Sequence, residues 1–258
     1  QGTFKSGPTA VGNHLTFNSG SDIFVVRLNA AGSIMSSTYV GGTGTDGINL
    51  NGLFFNYGDQ FRGDITLDAA GNVYVASTTE SSDFPVPNGF QTTRNGTQDA
   101  VIFKMNASLS TMIWSTYFGG PGLETGNSIQ VNANGEAYIA GGTTSSSLGF
   151  PSGGHLTSGP GAKDGYLVRI NANTPAVLSG TFVGTNKYDQ AYFVQLDLNN
   201  KVYVYGQTEG NMPITPGHYG VANSGQFIRK YSANLSTVEW TTTFGAGTGF
   251  AEISPTAF

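Results

Sequence analysis

The 258-residue sequence predicts an all-β fold made of repeated four-stranded units. Three observations support this prediction. A nine-residue segment recurs four times along the chain, and a hairpin pattern with a tyrosine recurs three times. Apolar and polar residues alternate with a period of two in these segments, as expected for half-buried strands. Gly, Asn and Ser fill the gaps between runs of β-branched and aromatic residues, which is typical of strands joined by turns.

The nine-residue segment begins at residues 22, 99, 164 and 225. Six residues after each start lies an apolar or aromatic residue, and eight residues after it lies Ala. A base stands five residues after each start. These bases are Arg27, Lys104, Arg169 and Lys230. Each segment predicts one strand, and the run that follows it, such as residues 112–118, predicts the next.

The hairpin pattern occurs at residues 65–75, 129–139 and 194–204. Asn, Asp and Gly residues form a turn between two alternating runs, which is a hairpin signal. Tyr74, Tyr138 and Tyr203 occupy the same position of the pattern. The pattern therefore predicts the two remaining strands of each unit.

Four strands in about 60 residues, repeated along a chain, predict the blades of a β-propeller. Three complete and two partial blades do not fill a ring of six to eight blades. We expect this chain to be part of a larger ring, with closure as a four-bladed ring as the alternative. The inner strands are predicted at residues 64–68, 128–132 and 193–197. The predicted divisions of this single propeller region, 1–258, are a partial blade plus inserted loop at 1–63, blades at 64–127, 128–192 and 193–249, and the start of a next blade at 250–258.

Composition excludes several classes of function. A formal net charge of −5 and a pI near 5.0 argue against a nucleic-acid partner. The chain has no Cys, so disulfides, thiolate zinc sites and a cysteine nucleophile are excluded. No run approaches the ~18 consecutive apolar residues of a membrane helix, so we expect no membrane insertion.

The residues that first suggest catalysis or metal binding all occupy repeat positions. His14, His155 and His218 share one position with Phe90, which predicts a loop-packing role rather than metal binding. Residues 42–47 match Gly-x-Gly-x-x-Gly, but no helical pattern follows, so the match predicts a turn. No Ser-His-Asp set with a supporting motif occurs. The sequence therefore predicts no catalytic residue, no metal site and no cofactor.

Two polar columns also have structural interpretations. Asp68, Asn132 and Asp197 begin the hairpin turns, where short polar side chains bond to backbone amides. A calcium site at this position needs more converging oxygens than the pattern offers. The column of four bases is predicted to pair with acids of neighbouring blades or to keep the strands soluble.

One insertion breaks the repeat and holds the candidate binding residues. Between Gly42 and Asp64 lie 21 residues, whereas 7 lie between Gly120 and Ser128. Insertions on one face of a propeller often form its binding surface. The aromatic residues there could anchor a protein or stack on a sugar, or the loop could fold back to plug the channel or cover an edge. The candidate residues are Phe54, Phe55, Tyr57, Phe61, Asp46, Asp59 and Arg62.

The repeat resembles the bacterial β-propeller family often labelled SBBP. Its units read much like residues 99–120 followed by 129–139, with a Phe-Pro step as at residues 84–85 and 150–151. The third unit departs from this pattern, with Met212-Pro213 instead of Phe-Pro and Asn200 where the other units have Gly. The resemblance implies a protein similar to secreted Bacteroidetes-type surface proteins with a gliding-motility-associated C-terminal signal, exported by type IX secretion.

The functional prediction is a non-catalytic, extracellular or cell-surface module for protein–protein interaction or adhesion. The expected partners are a protein at the cell surface or the secretion machinery, and a glycan is an alternative. Two other functions stay open. A polysaccharide-active enzyme requires paired carboxylates at one convergent site, which Asp46 and Asp59 would have to help form. A structural spacer requires no ligand.

Overall fold

The computed structural model describes residues 20–53 and 57–247, and these contain no α-helix. Their strands form one two-stranded and three four-stranded antiparallel sheets, so the all-β prediction is confirmed. The half sheet pairs β1 (Ile23–Leu28) with β2 (Ile34–Val40). The described residues hold no helix with the length and hydropathy of a membrane span. The predicted strand start at 250–258 lies outside the described residues.

In each four-stranded sheet the strands are hydrogen-bonded in sequence order. Each sheet thus places the predicted hairpin before the two strands of the recurring segment. The first sheet contains β3 (Asp64–Leu67), β4 (Val73–Thr79), β5 (Asp99–Met105) and β6 (Met112–Phe118). The second contains β7 (Glu124–Val131), β8 (Glu136–Thr143), β9 (Asp164–Asn171) and β10 (Ala176–Val183). The third contains β11 (Asp189–Leu196), β12 (Val202–Thr208), β13 (Gln226–Tyr231) and β14 (Val238–Phe244).

Two inner strands begin four residues earlier than predicted. β7 begins at Glu124 rather than 128, and β11 begins at Asp189 rather than 193. The pairing register skips Asn127 in β7 and Tyr192 in β11, so each strand contains a bulge. A bulge adds one residue and breaks the alternation of period two. The sequence pattern therefore marked only the part of each strand after the bulge.

The three four-stranded sheets stack on one another through apolar side chains. Ile129 of β7 lies in one buried cluster with Tyr74 and Trp114 of the first sheet. Val194 of β11 lies in another with Tyr138 of the second sheet. The inner strands β7 and β11 therefore each pack their apolar face against the preceding sheet. Stacked four-stranded sheets of this kind are consistent with propeller blades.

Polar contacts also join the three inner strands. Ser128 Oγ donates a hydrogen bond to Asp64 Oδ2 at 2.8 Å and accepts one from the Val194 backbone N–H at 3.2 Å. These residues belong to β7, β3 and β11. The inner strands of all three sheets therefore lie close to one another around Ser128. The insertion contacts one of these strands, β11.

Candidate functional site

The insertion between β2 and β3 lies against the second and third sheets. The backbone carbonyl of Leu53 accepts a hydrogen bond from Gln190 Nε2 at 2.6 Å. The carbonyl of Gly52 accepts one from Lys163 Nζ at 2.8 Å. Gln190 lies in β11 and Lys163 directly precedes β9, while the Leu53 side chain is completely buried. The insertion therefore folds back onto sheets that are more than 100 residues away in sequence.

A second contact attaches the insertion to the first sheet. Asn49 Oδ1 accepts a hydrogen bond from Gln98 Nε2 at 3.0 Å, and Gln98 directly precedes β5. Asn49 Nδ2 donates to the Leu53 carbonyl at 2.8 Å, which closes the insertion on itself. Both Asn49 and Gln98 are buried. The described part of the insertion thus contacts all three four-stranded sheets.

Asp59 and Arg62 form the most buried ion pair of the insertion. Arg62 Nε lies 2.8 Å from Asp59 Oδ1, and the two side chains are 8% and 0% exposed. The Arg62 guanidinium stacks over the Tyr192 ring at 3.8 Å from its centroid. Tyr192 Oη in turn donates a hydrogen bond to Asp59 Oδ2 at 3.2 Å. This triad fixes the insertion to the bulge residue of β11.

The remaining candidates differ in what the structure describes. Phe61 ends a short 3-10 turn that begins at Tyr57, and its side chain is 68% exposed. Phe54 and Phe55 lie outside the described residues. The contacts of Asp59 and Arg62 show that this part of the insertion folds back onto β11. Ligand binding by the seven candidate residues stays a prediction.

Asp46 is buried in the turn that resembles a dinucleotide-binding motif. Its Oδ2 accepts hydrogen bonds from the Gly42 backbone N–H and from Ser81 Oγ, both at 2.8 Å. Its Oδ1 accepts one from Thr79 Oγ1. The carboxylate thus closes the turn, as the sequence predicted for residues 42–47. These three hydrogen bonds of Asp46 are all made with residues 42, 79 and 81, and none of them joins it to Asp59.

Asp46 also belongs to a repeated set of acid pairs that the sequence analysis missed. In each pair, one acid stands at the start of a recurring segment. The other stands at the start of an inner strand, as Glu124 and Asp189 do, or at the equivalent position before the insertion, as Asp46 does. A Cβ atom built on Gly119 would lie 2.5 Å from Glu124 Oε2 and 2.9 Å from Asp99 Oδ2, so both carboxylates crowd one glycine. The three pairs are Asp22 with Asp46, Asp99 with Glu124, and Asp164 with Asp189.

Burial changes the acidity of these pairs. It raises the pKa of Glu124 to about 6, of Asp164 to about 7 and of Asp189 to about 6. The second carboxylate of the pair adds to the increase for Glu124 and Asp164, because like charges disfavour ionisation. A signal for these pairs exists in the sequence. An Asp opens three of the four recurring segments, and an acid follows Gly42 and Gly120 by four residues.

Three of the four bases of the recurring segment pair with an acid of their own sheet. Lys104 Nζ lies 3.5 Å from Asp68 Oδ2 and 4.8 Å from the centroid of the Tyr74 ring. Tyr74 Oη donates a hydrogen bond to Asp68 Oδ2 at 3.2 Å. The predicted pairing with acids of neighbouring blades is therefore wrong, because the hairpin turn and the base lie side by side in one sheet. The equivalent sets are Glu136, Tyr138 and Arg169, and Asp197, Tyr203 and Lys230.

The hairpin-turn residues have the structural role that the sequence predicted. Asp68 Oδ1 accepts hydrogen bonds from the backbone N–H groups of Ala70 and Asn72 at 3.0 and 2.9 Å. Asn132 and Asp197 make the same two bonds in their own turns. These oxygens are thus occupied by amides, which agrees with a turn role rather than a calcium site.

The described histidines pack in loops, as predicted. The His155 ring lies 6.2 Å from the Tyr231 ring, and the His218 ring stacks on Trp240 at 5.8 Å between centroids. His14 lies outside the described residues. Within the described ranges, no group of three or more His, Cys, Asp or Glu side chains is placed to hold a metal ion.

An apolar cleft of about 510 Å³ separates the half sheet from the first sheet. Val25 of β1, Ile65 and Leu67 of β3, and Val73 of β4 line it, with Leu109 from the loop after β5. Ile65 is 53% and Leu67 is 59% exposed. The cleft therefore presents apolar side chains to solvent at one end of the stack of sheets.

The sequence equivalents of the cleft residues are covered in the other sheets. Ile65 corresponds to Ile129 and Val194, which are completely buried against the preceding sheet. In the part of the chain that the structure describes, the half sheet provides two strands in front of β3, whereas β7 and β11 each face four. The exposure of Ile65 and Leu67 thus follows from the smaller neighbouring sheet.

Comparison of the chain with protein-family models and with curated proteins finds no match.

Proposed function

We propose that this chain is a β-propeller module without catalytic activity that binds other proteins at the cell surface. The stacking of its sheets supports the propeller, and the resemblance to SBBP-type repeats supports an exported location. The apolar cleft beside β3 supports protein binding. Exposed apolar residues gathered in one cleft are a common feature of protein interaction sites.

The occupant that best fits the cleft is a β-hairpin with the pattern of the inner hairpins of this repeat. Ile129 and Val194 show how this position is normally covered, because the second strand of the preceding sheet packs on each of them. Before β3, the half sheet consists of β1 and β2, which correspond to the third and fourth strands of a unit. An inner hairpin would supply the first and second strands and cover Ile65 and Leu67.

An acid in the turn of such a hairpin could also pair with a base at this site. Arg27 lines the cleft and corresponds to Lys104, which pairs with the hairpin-turn acid Asp68 in the first sheet. Arg27 now donates a hydrogen bond to the Ala107 carbonyl at 2.9 Å and is exposed. We therefore expect the bound hairpin to place an acid near Arg27.

A peptide-binding experiment tests this function. A labelled peptide with the sequence of residues 127–143, the inner hairpin of the second sheet, is titrated with the protein and followed by fluorescence anisotropy. We expect saturable binding that Leu67→Asp weakens at least tenfold, because the aspartate places a charge in the apolar cleft. Leu67 is exposed, so the variant is expected to keep its fold.

Two controls make the result specific. Leu178→Asp places the same charge on the outer strand β10 at a residue that is 39% exposed, and it should not change binding. A peptide of the same composition in scrambled order should not bind. Equal binding by wild type and Leu67→Asp would overturn the proposal. Self-association of the protein that Leu67→Asp abolishes, without peptide binding, would also overturn it and assign the cleft to a second copy of the chain.

A further inference from the structure

In the pair of Asp164 and Asp189, each acid has one buried oxygen atom that accepts no hydrogen bond. Asp164 is 2% exposed, and its Oδ2 accepts a hydrogen bond from the Gly161 backbone N–H at 3.1 Å. Its Oδ1 is buried and accepts none. A buried carboxylate oxygen that lacks a partner is costly and requires a specific explanation.

The equivalent acid in the preceding unit is fully satisfied. Asp99 accepts three hydrogen bonds, each 3.0 Å long, and they reach both of its oxygens. The donors are Gln91 Nε2 and the backbone N–H groups of Asn95 and Gly96. Asp99 therefore has no oxygen left open, and this distinguishes it from Asp164.

Other oxygen atoms converge on the open side of Asp164. A Cβ atom built on Gly161 would lie 2.7 Å from the Lys187 carbonyl oxygen, 3.0 Å from that of Thr185 and 3.1 Å from Asp164 Oδ1. A Cβ atom on Gly184 would lie 2.7 Å from Asp164 Oδ1 and 2.9 Å from Asp189 Oδ2. Because the two glycines carry no side chain, these oxygens can lie close together. Two of them belong to the loop of residues 185–188.

The local charge is also suited to a cation. Asp164 and Asp189 carry two negative charges when both are ionised, and burial together with the charge of Asp189 raises the pKa of Asp164 to about 7. The positive charge of Arg229 partly offsets the effect of burial on the pKa of Asp189. The Oδ2 atom of Asp189 already accepts hydrogen bonds from the backbone N–H and the Oγ1 of Thr185. A divalent ion would neutralise the pair and give Asp164 Oδ1 its missing partner.

We propose that Asp164 Oδ1 and the carbonyl oxygens of Thr185 and Lys187 bind one divalent cation of the calcium type, with Asp189 supplying the second negative charge. Carboxylate and backbone carbonyl oxygens are the ligands that Ca²⁺ takes in proteins, and water completes its shell of six to eight. The ion would join the loop before β9 to the loop before β11, and so would fasten the second sheet to the third.

Calcium titration of the intact chain tests the site. The protein is stripped with EDTA, dialysed, and titrated with CaCl₂ up to about 10 mM, which exceeds the weakest usual protein affinities of ~10⁻³ M. Isothermal titration should give one ion per chain. Thermal unfolding should rise by about 5 °C at saturation, because the ion binds the folded state only. Magnesium should act more weakly, because it gives up its water less readily.

Matched variants locate the ion. Asp164→Asn should abolish both the binding heat and the thermal shift while circular dichroism shows an intact fold. Asp99→Asn changes the fully hydrogen-bonded counterpart and should leave the calcium response unchanged. A wild-type chain that binds no calcium overturns the proposal whether or not Asp164→Asn folds. So does an unchanged response in Asp164→Asn, or a stoichiometry of three ions, which would spread binding over all the acid pairs.

Discussion

The contacts of Arg62 lead to a prediction about the role of the insertion. If the insertion is a plug that holds the sheets together, Arg62→Ala should destabilise the whole chain. The substitution leaves Asp59 as a buried, completely unexposed carboxylate without its ion-pair partner and removes the guanidinium that stacks on Tyr192. Breaking a buried ion pair by removing one partner costs about 3–5 kcal/mol.

This loss can be measured by urea unfolding. The slope for a chain of this size is about 3 kcal/mol per M urea, so the midpoint should fall by about 1 M or more. Lys201→Ala is the matched control, since Lys201 pairs with Glu239 on the surface, where the side chains are 35% and 29% exposed. Surface pairs contribute about 0–1 kcal/mol. If Arg62→Ala is no more destabilising than Lys201→Ala, the insertion does not stabilise the fold through the contacts of Arg62 with Asp59 and Tyr192.

Three further predictions concern the framework. In metal-free buffer, raising the pH from about 4.5 to 6 should weaken the fold, and Glu124 should account for about 1 kcal/mol of the loss, because burial raises its pKa to about 6 and the folded state therefore holds its proton longer than the unfolded chain. Glu124→Gln should remove this contribution from a pH series of urea unfolding curves. Trp114→Phe should cost about 2–3 kcal/mol in the same assay, since Trp114 Nε1 donates to the Ala172 carbonyl at 2.9 Å inside the core. Asn200→Val should lower the free energy of unfolding by about 1–2 kcal/mol, because Asn200 has a φ of 58°, which β-branched residues avoid; the same change at Asn199, outside the left-handed region, should have little effect.

The strands could be predicted because the information that specifies them is local and repeated. Alternation around Tyr74 and the turn at Asp68 identify the first hairpin, and the same pattern recurs in each unit. The third unit keeps its turn although Asn200 replaces the usual glycine, since Asn tolerates a positive φ better than most residues. Both the sheet order and the turn role of Asp68 were therefore accessible from the sequence.

The partners of the insertion were not accessible in this way. Asp59 and Tyr192 are 133 residues apart, and neither position carries a pattern that indicates the other. The bulge at Tyr192 also interrupts the alternation on which strand prediction depends. The acid pairs were missed for a different reason, because a carboxylate at a fixed repeat position such as Asp164 resembles a turn residue until its neighbours in space are known.

The two departures from the repeat have opposite consequences for function. In the second and third sheets, a single bulge residue interrupts the inner strand, whereas in the first sheet Asp46 pairs with Thr79 and the insertion lies between this bridge and β3. Arg62 and Asp59 contact the bulge residue of β11, so this loop is used to join the sheets to one another. The half sheet does the reverse, because its two described strands leave Ile65 and Leu67 exposed. A search for partners should therefore begin at the face with fewer strands than the repeat provides, and only then at the loop that has extra residues.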